Sequence, residues 1–256
     1  MAPLSDEIRA ILRRPFDEQV EFLRRKLGVL LPTRTWRDVL RDAHDRAFVV
    51  AGAAAADLLA DLADAVQQAI TDGWSIERFR ERFREIVARR GWHGWKGEET
   101  EAGRAWRTRV IYTTNMRASY AAGRYAQLQD FPVWVYRHSG AEHPRLQHLA
   151  WDGLTLPANH PFWRTHYPPN GWGCGCRVAG SRTREGARRL GGDPDYDAPP
   201  PGWDVPDPET GLLPGLQEGW DYAPGASLQA LRDAVSDRLD ELPEPLRSDA
   251  RRRRRR

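Results

Sequence analysis

A chain of 256 residues, 40% of them hydrophobic and eleven of them Trp, can bury one sizeable core. A mean hydropathy of −0.69, with 19 Pro and 22 Gly, places part of it outside that core. The net charge of +3 hides segregation: residues 192–249 carry fourteen acids against Arg232, Arg238 and Arg247, and Arg251–Arg256 is an unbroken basic run.

A basic body, an acidic region and a basic tip speak of partners rather than of fold. Lys26 and Lys96 are the only lysines; Arg elsewhere offers a planar fork for phosphate or carboxylate, though a GC-rich coding sequence produces the same bias. Two cysteines exclude a disulfide framework. The Ala51–Ala69 stretch is interrupted by Asp57, Asp61 and Asp64 and cannot span a bilayer. The Met-Ala-Pro opening shows no charged-then-apolar leader, so synthesis in the cytoplasm is expected.

In chain order, Phe16, Val20, Leu23 and Leu27 recur at helical spacing between Pro15 and Gly28. After Pro32, Thr33 or Thr35 can cap a second helix with Trp36, Val39, Leu40, Ala43 and Ala47 on one face. It can run on through Leu58, Leu59, Leu62, Val66 and Ile70, with Gly52 as a kink or break. Asp72-Gly73 marks a turn, and Ser75 caps a helix with the stripe Ile76, Phe79, Phe83, Ile86 and Val87. A long helix over residues 98–129 follows, expected to turn Trp106, Val110, Thr113 or Thr114, Tyr120 and Leu128 inward.

The period then changes to the alternation of a strand over residues 133–138. Turn signals fill the chain to Val178, and residues 181–190 read as a short capped helix. Proline dominates residues 191–225, expected to lie as an extended arm on a surface. Leu228, Leu231, Val235 and Leu239 close with an amphipathic helix, and the Arg run after it is expected to be disordered in isolation.

The fold expected is therefore mainly α: a helical body (1–130), a small α+β turn-rich Cys/His module (131–190), a Pro-rich acidic arm (191–226), and a C-terminal helix with a poly-Arg tail (227–256).

Five of the seven histidines and both cysteines fall within about forty residues. Thiolate and imidazole are the ligands zinc takes in a tetrahedron. Cys174 and Cys176 would give two, and two of His143, His148, His160 and His166 the rest, His148 and His143 being taken first. A structural zinc would staple a module with little apolar mass. The alternative is small buried thiols among histidines that hydrogen-bond around tight turns.

An enzymatic option is a metal-dependent nuclease of the His-Asn-His type, with His143 or His148 activating water and Asn159, His160 or His166 holding the ion. Only Asp152 and Glu142 stand near as acids. No catalytic residue is assigned. Arg104, Arg107, Arg109, Arg117 and Arg124, interleaved with Trp106, Tyr112 and Tyr120, could follow a nucleic-acid backbone; the plainer reading is a solvated face paired with Glu98, Glu99 and Glu101. Arg251, Arg252, Arg253, Arg254, Arg255 and Arg256 form a non-specific grip for a polyanion, with the acidic region of a neighbouring chain as the rival partner.

Several runs together resemble the phage Mu F-like minor head proteins: residues 47–53, Tyr112–Tyr125, and above all His148, Asp152-Gly153-Leu154, His160-Pro161-Phe162-Trp163 and His166 to Val178 with its two cysteines. Gly219–Gly225 is similar to the end of that family. In one departure, Gly175 stands where the family commonly has Arg between the cysteines.

The resemblance implies a structural and assembly protein rather than an enzyme, present in few copies in the virion, with Cys174, Cys176, His148 and Asp152 at the heart of the module. It implies the portal and major capsid proteins as partners, contact with packaged double-stranded DNA, no membrane, and a place in the head interior or portal vertex after assembly in the host cytoplasm.

Overall fold

The computed structural model describes residues 16–241 together with Pro243, Glu244, Arg247 and Arg252. Helix α1 (Asp17–Leu27) starts with Asp17 and Glu18 and ends with Arg24, Arg25 and Lys26, charges that complement its dipole. Its buried face is Gln19, Phe22, Leu23 and Lys26, rotated from the apolar stripe expected. The cause lies in α5 (Glu101–Leu128), against which α1 packs most closely. A Cβ on Gly123 would sit 2.5 Å from the Phe16 ring and 2.7 Å from the Gln19 nitrogen, so only Gly admits α1 there. The Gln19 amide donates to Ser119 Oγ at 3.1 Å across the same seam.

The second helix expected from Thr33 to Ala47 does not form; only α2 (Ala43–Arg46) is helical. Asp38 takes the N–H groups of Arg34 (2.7 Å) and Thr35 (3.0 Å) and closes a turn where the helix was to begin. Arg41 stands at φ 57°, and Trp36 packs edge-on against Trp172. Nor can a helix run from there into the Ala-rich stretch. Phe48 pairs in parallel with Leu30, donating to the Val29 carbonyl at 2.8 Å, and that pairing requires extended backbone.

Helix α3 (Ala56–Thr71) therefore begins afresh, and α4 (Ile76–Arg90) follows with the Ser75 hydroxyl accepting Arg78 N–H at 3.3 Å, as its sequence foretold. Leu59, Leu62, Phe79 and Ile86 lock the pair into one core with Phe48. Outside it, Arg90 bridges Asp57 and Asp61.

Helix α5, about 42 Å long at 1.5 Å per residue, is the spine of the molecule. Ile111 joins the core of the body and Leu128 that of the module. The inward assignment of Trp106 and Tyr120 is corrected: they are 46% and 44% exposed. The buried face is mostly short, with Thr108, Asn115, Ala118, Ser119, Ala122 and Gly123, because close helix approach selects for small side chains over apolar ones. Nor are the helix's arginines one solvated face, since Arg107 is buried.

Beyond α5 a three-stranded antiparallel sheet runs in the order β2 (Thr155–Pro157), β1 (Val133–Arg137), β3 (Arg177–Ser181), with Trp134 opposite Leu156 and Gly180. The short helices α6 (Leu146–Ala150) and α7 (Phe162–His166) fill its turns. The capped helix expected over 181–190 is instead the end of β3 followed by a 3-10 turn, Glu185–Leu190.

The segment 191–225 has no regular element, yet it is not confined to the surface: Leu216, Trp220, Tyr222 and Ala223 are buried. Helix α8 (Ala226–Asp240) buries no residue. Of the Arg251–Arg256 run, all but Arg252 lies outside the described residues. The chain is thus mainly α, with one small β module, and no described helix is long and apolar enough to cross a membrane.

Candidate metal centre

His148 projects from α6 into the module, and the turn before β3 brings Cys174 and Cys176 to it. His148 Nδ1 lies 3.7 Å from Cys174 Sγ and 3.8 Å from Cys176 Sγ, and the three donor atoms all fall within 4.8 Å of one another. A tetrahedral zinc with sulfur at about 2.3 Å and nitrogen at about 2.0 Å has N···S edges of roughly 3.5 Å. The three side chains therefore stand near three corners of such a site.

The imidazole is oriented from behind. His148 Nε2 lies 2.7 Å from the Gly215 carbonyl, which can only accept, so the ring proton sits on Nε2 and the Nδ1 lone pair faces the sulfurs. Trp151 stacks on the ring at 5.3 Å. Gly215 is itself required: at φ 75°, a Cβ there would lie 2.4 Å from the Trp151 ring.

The thiols divide their protons unequally. A hydrogen bond with Cys176 holds Cys174 down at about 6, against the effect of burial, with help from the Asn170 and Cys176 backbone. The same hydrogen bond, then burial, pushes Cys176 up to about 12. The shared hydrogen bond favours a thiolate on Cys174, and a cation in place of the second proton would relieve the pair.

The loop carrying the cysteines is pinned on every side. Arg145 donates to the Trp172 carbonyl at 2.8 Å, Arg117 to that of Gly173, and the Trp172 N–H reaches Gln217 Oε1 at 2.6 Å. Tyr136 donates to Asn170 Oδ1 at 2.9 Å. At Gly175, a Cβ would meet Ser139 at 3.2 Å and Arg117 Nη2 at 3.7 Å, so an arginine from α5 lies over this position.

The other candidates stand elsewhere. His143 is exposed in the turn before α6 and is not in the donor cluster; Arg145, extended at ψ 124°, separates its turn from the helix that carries His148. His166 has both ring nitrogens engaged, by the Thr165 hydroxyl at 2.8 Å and the Pro214 carbonyl at 3.3 Å. His160 Nδ1 accepts the Phe162 N–H, and Asn159 is exposed. Asp152 clamps Arg137 Nε and the His138 N–H, a fastening of the sheet. Among the described residues, no carboxylate joins the His148–Cys174–Cys176 cluster. Gly215 and Pro214 escaped the sequence reading, since a backbone carbonyl supplied by a proline-rich arm has no residue signature.

Comparison with known proteins gives one direction. Residues 60–179 match the family model described as Phage Mu protein F like protein. The chain is 35% identical over 178 residues to the "Putative capsid assembly protein F" of Escherichia phage Mu, covering 65% of this chain and 40% of that protein. It is 37% identical over 154 residues to the "Mu-like prophage FluMu F protein" of Haemophilus influenzae, covering 57% of this chain and 37% of that protein. It thus spans about two-fifths of the length of these relatives. No solved structure matches. The matched span holds α4, α5, β1, β2, most of β3 and the whole His148–Cys174–Cys176 cluster.

Proposed function

We propose that this chain is a minor head protein of a tailed phage that acts in head morphogenesis as a structural component rather than an enzyme. The observation that carries this reading is the match of residues 60–179 to the Mu F-like family, together with a relative named as a capsid assembly protein. Its partners are then the portal and major capsid proteins, and its place is the head interior or portal vertex after assembly in the host cytoplasm. Particles purified from a producing strain are expected to contain the chain, and its deletion is expected to leave heads unformed or empty. Full particles of normal infectivity made without it would refute this role.

Within that role, His148, Cys174 and Cys176 are a brace that holds a zinc ion and keeps the turn-rich module in shape. Zinc held by these residues would supply cross-linking of α6 to the β3 turn. Elemental analysis of the purified chain is expected to give one zinc, lost in Cys174→Ser, with no cleavage of DNA by either form. DNA cleavage abolished by His148→Ala in a folded chain would favour the nuclease instead. The Arg251–Arg256 run contacts packaged DNA through phosphates. Its deletion should weaken DNA binding and flatten the dependence on salt; unchanged binding would remove this contact.

A further inference from the structure

A cavity of about 650 Å3, which the metal centre does not use, lies between the helical body and Trp172 of the module. Four indoles line it, from Trp36, Trp95, Trp106 and Trp172. So do Arg34, Arg107, Lys26 and Lys96, so both lysines of the chain meet at one place. Among the described residues, no Asp or Glu joins the wall. A cavity of this size, largely apolar with a few convergent polar groups, has the form of a ligand site.

Two buried donors of the wall lack acceptors. Arg107, 8% exposed, gives Nη2 to the Ala51 carbonyl while its Nε has no partner, and the Trp95 Nε1, in a side chain 7% exposed, has none either. A buried cation without a counter-ion and a donor without an acceptor both destabilise a fold. A carboxylate offers acceptors for both.

The chain carries matching chemistry on another surface. From Leu190 to Leu231 there is no Lys, Arg or His, and residues 201–211 are exposed apart from the half-buried Trp203. At their centre Val205 is 61% exposed between Asp204 and Asp207. Asp207 Oδ1 accepts the N–H groups of Glu209 (3.1 Å) and Thr210 (2.8 Å), and its backbone bonds Leu212 and Gly211. With Pro206 and Pro208 the turn is already shaped, so little conformational entropy is lost on docking.

We propose that the cavity receives this acidic turn from a second copy of the chain, Val205 among the indoles and the carboxylate of Asp204 or Glu209 on Arg107. The turn and the cavity are different surfaces, so each copy gives and receives, a contact that builds a ring or an open string. A single nucleic-acid strand also likes indoles between cations. It would require a continuous cationic groove, however, whereas the unpartnered cation here is buried in the wall, 8% exposed. The inference depends neither on the metal brace nor on the head-assembly reading.

The test uses the full chain and a blocked peptide of residues 201–212. The sedimentation coefficient of the chain should rise with concentration at low salt and less at high salt. By calorimetry the peptide should bind, and a peptide with Asp204→Asn and Glu209→Gln should bind roughly thirtyfold more weakly or worse. Arg107→Met in the chain should have a similar effect. Should that variant not fold, Lys96→Gln with Trp106→Ser, both on the exposed rim, should weaken the peptide several-fold. A chain that stays monomeric at all concentrations, or equal binding of the acidic and amide peptides, overturns the proposal. So does oligothymidylate binding more tightly than the peptide and losing that affinity in the rim variant.

Discussion

Beneath α3 and α4 the core is made of Leu59, Leu62, Phe79 and Ile86, side chains that ask only to be kept from water. Beneath β1 it is made of Trp134, Tyr136, Phe162 and Tyr167, with His148, Thr155, His166 and Asn170 buried among them. The difference follows from backbone. Helices satisfy their own polar groups and can bury whole faces. Strands of three to five residues and long turns leave carbonyls and N–H groups that side chains must meet, so Trp163 donates to the Pro157 carbonyl, Arg145 to that of Trp172, and Gln217 accepts the Trp172 N–H. The body is held by packing, and the module by directed bonds and, in our reading, by a metal.

Removing the metal is the strongest way to separate the two. Structural zinc contributes on the order of 10 kcal/mol to the folding of small peptides. In a module with its own aromatic core, Cys174→Ser or a chelator should cost about 5 kcal/mol. Amide hydrogen exchange should then show β1–β3 losing protection while α3 and α4 keep theirs. Equal loss in both regions would mean that they fold as one unit through α5.

The converse substitution is Phe79→Ala, which leaves a cavity under α4. It should cost about 3–5 kcal/mol, by the same amount with and without chelator in denaturant titrations. A cost that depends on chelator would tie the body to the metal.

A smaller effect probes the buried histidine of the module by pH. Burial holds His166 at about 4, below its ordinary 6.5. Above pH 6.5 the ring is neutral in both folded and unfolded chains and contributes nothing to the pH dependence. As pH falls from 6.5 to 4 the unfolded chain takes up a proton that the folded one refuses. The module should therefore lose up to roughly 3 kcal/mol over that window and no more below it. The body carries both signs: burial holds His44 down at about 3, which gives the same slope as His166, whereas burial raises Asp45 to about 6 from 3.8, so its contribution is present below pH 3.8 and lost as pH rises through 6. His166→Leu should remove only the His166 part of the acid-side loss, measured as stability against pH; a curve unchanged by the substitution would show that another group carries it.

What the sequence made legible follows the same division. The α4 stripe and its Ser75 cap could be read because one face meets one core, so pattern and packing agree. The rotation of α5 could not, since several elements grip it and the small residues of its packed face carry no hydrophobic signal. The failed helix at Trp36 was a local contest decided by Asp38 and by a strand-like pairing to Leu30, the second of which is a tertiary contact. Cys174, Cys176 and His148 stood out as chemistry by type and crowding. His143 stood out equally and is exposed, because spacing in a turn-rich segment does not give direction.

The finest distinction concerns how the acidic segment is fastened to the body. Outside, Arg37 grips Glu218 through Nε and Nη2, both at 2.9 Å, and Arg41 Nε meets Asp221 at 2.8 Å. Inside, the buried Asp45 carboxylate accepts the Gly225 N–H at 2.8 Å, and Trp220 and Tyr222 are buried beside it. Exposed pairs are screened by salt and hold long side chains at an entropic cost. Glu218→Gln with Asp221→Asn should therefore give the smallest shift in melting temperature of the series, visible at low salt and erased at high salt. A shift that survives high salt would mean the surface pairs position the segment. The Gly215 carbonyl behind His148 would then depend on them, and zinc affinity in the same variant should fall with stability; if the inner contacts hold the segment, zinc affinity stays unchanged while the low-salt melting temperature moves.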